Sequence, residues 1–117
     1  MSRSPRGSLA EQRAYAPVFA ALGDETRLML LSKLCGGDPQ SISQLAEGSR
    51  LTRQAVTKHL RVLESAGVVS NFRSGRESLF EFKPEPIEKI RTYLDRVSEQ
   101  WDETLARLKS FVEEHDT

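Results

Sequence analysis

Residues Thr52 to Ala66 read TRQAVTKHLRVLESA, and the period of that stretch decides the fold. On a helix at 100° per residue, Ala55, Val56, His59, Leu60, Val62, Leu63 and Ala66 fall within one arc of about 160°, and Arg53, Gln54, Thr57, Lys58 and Arg61 fill an arc of about 140° opposite. One face requires a core and the other is suited to an anion. Thr52 is a good N-cap, and Gly67 stands where a left-handed C-terminal cap is needed, so the helix is about four turns long.

Upstream, Ser41-Ile-Ser-Gln44 has the form of a capping box opening a short helix from Ile42 to Glu47, which Gly48 ends. Ser49 to Leu51 then leave room only for a tight turn. Two short helices joined in this way form a helix-turn-helix whose second helix enters the major groove by its N-terminal residues. After Gly67 the period changes. Val68 to Phe72 and Glu77 to Phe82 are rich in β-branched and aromatic residues, and Arg73-Ser-Gly-Arg76 between them reads as a hairpin turn with Gly75 supplying the unusual backbone angle. A hairpin after a recognition helix is a wing, and Arg73 and Arg76 at its tip suit the phosphate backbone or the minor groove.

Three blocks carry a resemblance: ALGDETRLMLLSKL (Ala21 to Leu34), SISQLAEGSRLTRQAVTKHLRVLESAGVV (Ser41 to Val69) and RSGRESLFEF (Arg73 to Phe82). In this order and at these gaps they resemble the ArsR type of winged helix-turn-helix transcriptional regulators. The resemblance covers roughly residues 18 to 83 by motif, and the flanking helices by layout. Members are mostly small dimeric bacterial repressors that leave DNA when an effector binds, so the resemblance implies a regulator of that kind without identifying an effector. The implied fold is mainly α with a small β-hairpin, a winged helix-turn-helix with long N- and C-terminal dimerisation helices.

Metal sensing is the best-known activity of that family, and it is tested residue by residue. Where members that bind thiophilic metals have a cysteine-x-cysteine pair, this chain has Ser41 and Ser43. A second family site uses aspartate, two histidines and a further ligand along the C-terminal helix. If Asp95 stands for that aspartate, the other places fall on Val97, Leu108 and Phe111. Hydroxyls and hydrocarbons are poor ligands for zinc, copper or nickel, so no metal and no cofactor is expected.

With 117 residues the chain is expected to form one domain over residues 8–117, after a disordered 1–7, and to bury more than about 60% of its unfolded surface. No run approaches the roughly 20 apolar residues of a membrane span, and the basic, polar start lacks the apolar stretch of a signal peptide. A cytoplasmic protein is expected, in keeping with the single cysteine, Cys35. Net charge is zero, which alone argues against nucleic acid, but the distribution points the other way: residues 50–84 carry seven basic against three acidic side chains, residues 1–49 five against five, and residues 85–117 five against nine.

Ser8-Leu-Ala-Glu11 is a second capping box, opening a helix that Pro17 kinks or restarts, with Val18, Phe19 and Leu22 on its apolar face. Asp24 is placed to cap a helix from Glu25 to Cys35 whose buried stripe is expected to be Leu28, Leu31, Leu34 and Cys35; Arg27 is expected to form a solvated pair with an acid such as Asp24. Lys83-Pro-Glu-Pro86 reads as a boundary that cannot sit inside a helix. From Ile87 to about Glu114, Ile87, Leu94, Trp101 and Leu108 recur every seven residues, as do Ile90, Val97, Thr104 and Phe111 offset by three. Seven of these eight positions are apolar, the pattern of a helix packed along another helix. At 1.5 Å per residue the segment runs about 42 Å, longer than so small a domain covers. The simplest partner is a second copy of the chain, with Leu105 and Val112 widening the stripe. An amphipathic helix folded onto its own core is the plain alternative.

For the basic face, the plain alternative is a solvated surface. Gln54 and Thr57, suited to base edges amid charges suited to phosphates, favour DNA. Arg53 and Gln54 are read as base contacts, Lys58, Arg61 and Arg50 as backbone contacts, Thr57 as either, and Thr52 as a further DNA contact. His59 lies on the apolar face as a partly buried structural residue, His115 in a frayed end, and Cys35 as a small core residue. One cysteine and two histidines supply no nucleophile, base and orienting group together, so an enzyme is not expected. The reading is therefore a sequence-specific, dimeric DNA-binding regulator of a palindromic operator. Two further readings stay open: a dimeric protein-interaction module of the same fold, and a regulator whose small-molecule effector enters between the long helices or which has no effector and is controlled by its own abundance.

Overall fold

The computed structural model describes residues 9–114; the expectations for residues 1–7, for Ser8 as a cap and for His115 lie outside them. Five helices and three strands follow in the order α1 (Leu9–Leu22), α2 (Glu25–Cys35), β1 (Gln40–Ser41), α3 (Ile42–Ala46), α4 (Arg53–Ser65), β2 (Val69–Ser74), β3 (Glu77–Phe82) and α5 (Glu85–Glu114). The fold is mainly helical with a small antiparallel sheet of order β1-β3-β2. Among the described residues no helix is long and apolar enough to cross a membrane.

The core is one cluster. Leu30 and Leu34 of α2, Leu45 of α3, Val56, Leu60 and Leu63 of α4, and Val68 are its largest fully buried members. Phe80 closes it from the sheet and Ile90 from α5. Burying several large aliphatic side chains, each worth roughly 1.5–3 kcal/mol, holds the short α3 in place although five residues would not form a helix alone.

Four expectations are corrected. Pro17 does not restart the helix, because α1 is one helix with the proline inside it. Val18 and Ala21 are buried on one side of Pro17 and Tyr15 packs on the core from the other, so tertiary packing offsets the lost backbone bond. On α2 the buried stripe is Leu30, Leu31 and Leu34, whereas Leu28 is 51% exposed and Cys35 is exposed. The core arc is centred about 100° from Leu28 and Cys35 and takes in Arg27. Protein atoms around the exposed Cys35 nonetheless push its thiol pKa up by desolvation.

The wing is larger and its turn tighter than expected. β2 and β3 pair in register from Val69↔Phe82 to Ser74↔Glu77, leaving the two-residue loop Gly75-Arg76. Gly75 has φ +64, a glycine at the first central position with a left-handed backbone, as a two-residue hairpin loop demands. β1 adds a third strand through Gln40↔Phe80 and Ser41↔Leu79. Finally, α5 begins at Glu85, so Pro86 sits inside its first turn, where a missing N–H costs nothing.

Candidate nucleic-acid interface

The helix-turn-helix is fixed at both ends of its first helix. Ser41 Oγ accepts from Gln44 N at 3.2 Å while Gln44 Oε1 accepts from Ser41 N at 2.8 Å, the capping box expected there. At the other end Lys33 Nζ donates to the Leu45 carbonyl at 3.1 Å. Gly48 turns the chain with φ +77, and Ser49 holds the turn: its hydroxyl donates to the Ala46 carbonyl at 2.8 Å and accepts from Leu51 N at 3.2 Å.

Thr52 caps α4, with φ −76 and ψ 160, and its Oγ1 accepts from Ala55 N at 3.0 Å. At the far end Ala66 closes the helix, and Gly67 follows with φ +79. Val56, Leu60 and Leu63 are fully buried, which turns Arg53, Gln54, Lys58 and Arg61 outward as exposed residues and leaves Thr57 half-buried. Thr57 Oγ1 donates to the Arg53 carbonyl at 2.8 Å. Arg50, in the turn before the cap, is exposed.

The inner face of α4 is docked on α2 through polar atoms as well as leucines. His59 is partly buried, with Nδ1 3.4 Å from a terminal guanidinium nitrogen of Arg27 and 3.8 Å from Asp24 Oδ2. Arg27 does not form the solvated pair expected of it. Its Nε donates to the Ala21 carbonyl at 2.7 Å and its other terminal nitrogen to the Ala20 carbonyl at 3.3 Å, closing the C-terminal end of α1. Asp24 caps α2 by accepting from Arg27 N at 3.0 Å, and that backbone hydrogen bond, with the nearby Arg27 charge, holds its carboxyl below the ordinary value of 3.8.

In the wing, Arg73 lies within β2 opposite Ser78, and Arg76 is in the loop; both are exposed. Asn71 Nδ2 donates to Glu64 Oε2 at 2.6 Å and ties β2 to α4. A notch of about 250 Å³ separates α3, α4 and β3, lined by Ser41, Ser43, Arg53, Thr57, Glu77 and Ser78. Arg53 and Thr57 are thus brought beside the wing residues that neighbour Arg76 in sequence and Arg73 in register. Sequence alone does not single out Lys33, Asn71 or Glu77. The basic character of Lys33 is visible there, with no signal for its partner.

The residues read as a dimer surface lie along α5. Ile90 is buried in the core and Ile87 and Val97 are half-buried, whereas Leu94, Trp101, Leu105, Leu108 and Phe111 are each about half exposed or more. Tyr93, which stands outside the heptad seam, joins α1 to α5: its ring centroid lies 5.2 Å from that of Tyr15 and 6.3 Å from that of Phe19. Arg96 pairs with Glu11 at 2.5 Å beside them. Among the described residues no three histidine, cysteine or acidic side chains come together as a metal site.

Residues 22–70 match a family model described as a helix-turn-helix domain. The chain is 35% identical over 79 residues to YuzN, an uncharacterized HTH-type transcriptional regulator of Bacillus subtilis, an alignment covering 62% of this chain and 86% of that one. It is 36% identical over 59 residues to SdpR, a transcriptional repressor of the same organism, covering 50% of this chain and 64% of the repressor. Among solved structures, an ArsR-like transcriptional regulator from Rhodococcus sp. RHA1 superposes with a TM-score of 0.78 at 37% identity, covering 88% of this chain and 96% of that one. With its capped recognition helix, paired wing and these relatives, the chain belongs to the ArsR family of winged helix-turn-helix regulators, which bind DNA to control transcription.

Proposed function

We propose that the protein works in the cytoplasm as a homodimeric repressor, setting two copies of α4 into successive major grooves of a twofold-symmetric operator about 34 Å apart. Arg53 and Gln54 read bases, Arg50, Lys58 and Arg61 hold phosphates beside them, and Arg73 and Arg76 bring the wing against the backbone. The observation that carries this reading is the opposition of the two faces of α4. Val56, Leu60 and Leu63 are sealed in the core, and Arg53, Lys58 and Arg61 point outward from a mount fixed by Thr52, Ser49 and Arg27. A repressor of this kind acts by occupying its site, so binding rather than catalysis is the proposed activity.

The two copies join through α5, along Leu94, Trp101, Leu105, Leu108 and Phe111. The places of the two familiar metal sites argue for control without metal: Ser41 has its hydroxyl engaged in capping α3, Ser43 offers a second hydroxyl, and Val97, Leu108 and Phe111 offer hydrocarbon.

The test is fluorescence anisotropy of the purified protein on a labelled duplex from upstream of its own gene, with scrambled competitor DNA and two salt concentrations. Tight binding that resists the competitor and weakens steeply with salt is expected. Failure to bind any duplex at low salt removes the proposal and leaves a protein-interaction module of the same fold.

A further inference from the structure

Two threonines of the recognition segment each make one local hydrogen bond, with opposite polarity. Thr52 Oγ1 accepts from Ala55 N at 3.0 Å. Thr57 Oγ1 donates to the Arg53 carbonyl at 2.8 Å. A hydroxyl has a single proton and two lone-pair sites, so these bonds leave the side chains with different capacities toward solvent. Thr52 keeps its proton; Thr57 keeps only acceptor capacity and its methyl group.

DNA distinguishes those capacities. Backbone phosphate oxygens only accept, so they can bond Thr52 as it stands and cannot bond Thr57 without breaking its bond to Arg53. In the major groove the exocyclic amino groups of cytosine N4 and adenine N6 are the donors. Resting on α4 as the DNA-reading helix, we propose that Thr57 is a specificity-determining residue accepting from a cytosine or adenine amino group, while Thr52 donates to a backbone phosphate.

The surroundings of Thr57 point the same way. It shares its notch with Arg53 and Glu77. Arg53 has donors only, so the pair one turn apart offers a donor fork beside an acceptor, which complements guanine N7 and O6 next to an amino group. The Glu77 carboxylate repels a phosphate entering that notch and tolerates an amino donor. Between Arg53 and Arg61 on the outer face of α4, Arg53, Lys58 and Arg61 only donate and Gln54 does both, so within that stretch Thr57 is the position whose hydrogen bonding to DNA is limited to accepting.

The experiment selects binding sites from a random duplex pool with the full chain and with Thr57→Val, Thr57→Ser and Thr52→Ala, each first checked for an unchanged thermal melt or corrected for its folded fraction. Valine keeps the β-branch and methyl and removes the acceptor; serine keeps the hydroxyl. The expected wild-type site holds a cytosine or adenine at one symmetric position in each half. Thr57→Val loses that preference and binds the wild-type site about tenfold more weakly, with its salt dependence unchanged. Thr57→Ser keeps the preference, and Thr52→Ala weakens all sequences alike with every preference intact. Replacing the base at that position by 2-pyrimidinone or purine, which lack only the amino group, costs the wild type the same factor and Thr57→Val nothing further. A Thr57→Val protein that weakens evenly on all sequences, or that binds as the wild type does, overturns the assignment of Thr57 to the bases. A wild type that selects no site at all overturns the DNA-reading role of α4 itself, and the proposal with it.

Discussion

At Arg27 one guanidinium joins three elements, donating to the Ala20 and Ala21 carbonyls that end α1 and meeting His59 Nδ1 on α4 from its place in α2. Replacing it by methionine keeps the stem and strands the Ala21 carbonyl, while Ala20 keeps its bond from Gly23 N, with an expected loss of about 1–3 kcal/mol by urea denaturation. Such a partnership is invisible in the sequence, which shows that Arg27 and Asp24 are three residues apart but not where the carbonyls of another helix point. The same blindness misplaces the buried stripe of α2, because nothing marks an arginine as the centre of an inner face until its acceptors are seen. Asp24, by contrast, is legible, since a cap depends on local chain geometry alone. Its carboxyl is held below 3.8 by the Arg27 backbone hydrogen bond, so the folded chain releases that proton more readily than the unfolded one. The contribution to stability is therefore complete above the ordinary aspartate range and is lost as pH falls below 3.8 through the depressed folded value. Asp24→Asn, which can still cap, should differ from the wild type in acid unfolding curves at neutral pH and converge on it at the acid end.

Elements built from local signals are legible nearly to the residue, as the Ser41 capping box, Thr52 and the glycines show for α3 and α4. The elements that need a distant partner are not. β1 is two residues long and is a strand only because Phe80 and Leu79 of β3 stand opposite it, so no period within Gln40–Ser41 could reveal it. The hairpin loop shrinks from four residues to two because Arg73 pairs with Ser78, a register that follows from Phe80 and Phe82 facing the core. The core of α4 should respond as a packed element does. Leu60→Ala, at a fully buried position, is expected to cost about 2–5 kcal/mol, while Leu28→Ala on the outer face of α2 stays within about 1 kcal/mol, as chemical denaturation would show. Gly67→Ala places a Cβ on a backbone with φ +79, where Pro86 Cγ at 3.4 Å is an ordinary contact, and the backbone strain alone should cost about 1–2 kcal/mol. For the wing, Arg73→Ala and Arg76→Ala should each weaken binding on every sequence and lower the slope of log K against log salt by about one. An unchanged slope would take those arginines off the backbone.

The chain alone is an incomplete shape. Its Cα radius of gyration is 19.7 Å, with extents of 71 × 34 × 21 Å, against about 13 Å for a compact domain of this length. The excess comes from α5, whose first part is held against α1 by the Tyr15, Phe19 and Glu11 contacts to Tyr93 and Arg96. Residues 97–114 continue for about 27 Å past Arg96. Along that length Leu105 and Leu108 are 54% and 57% exposed, and Trp101 and Phe111 are exposed to a similar degree. A seven-residue apolar repeat left so open in one chain is the geometry of half a helix pair, and a soluble protein rarely exposes a continuous apolar stripe of this kind without a use for it. The heptads are legible because they are local, and that so long a helix outruns the body of the domain follows from its length. If a second copy covers the stripe, Leu105→Glu places a carboxylate in the seam. Sedimentation velocity should then show the wild type at twice the chain mass and the variant at the chain mass, with helix content and thermal melting of the core unchanged because Leu105 lies outside the residues packed on the buried cluster. The two events should be linked on DNA. A dimer engages its second half-site at high effective concentration, so the monomeric variant should bind a full operator at least about a hundredfold more weakly while binding an isolated half-site as the wild-type protomer does. A Leu105→Glu protein that remains dimeric would move the interface off this face of α5, and one that is monomeric yet binds the full operator undiminished would uncouple dimerisation from recognition.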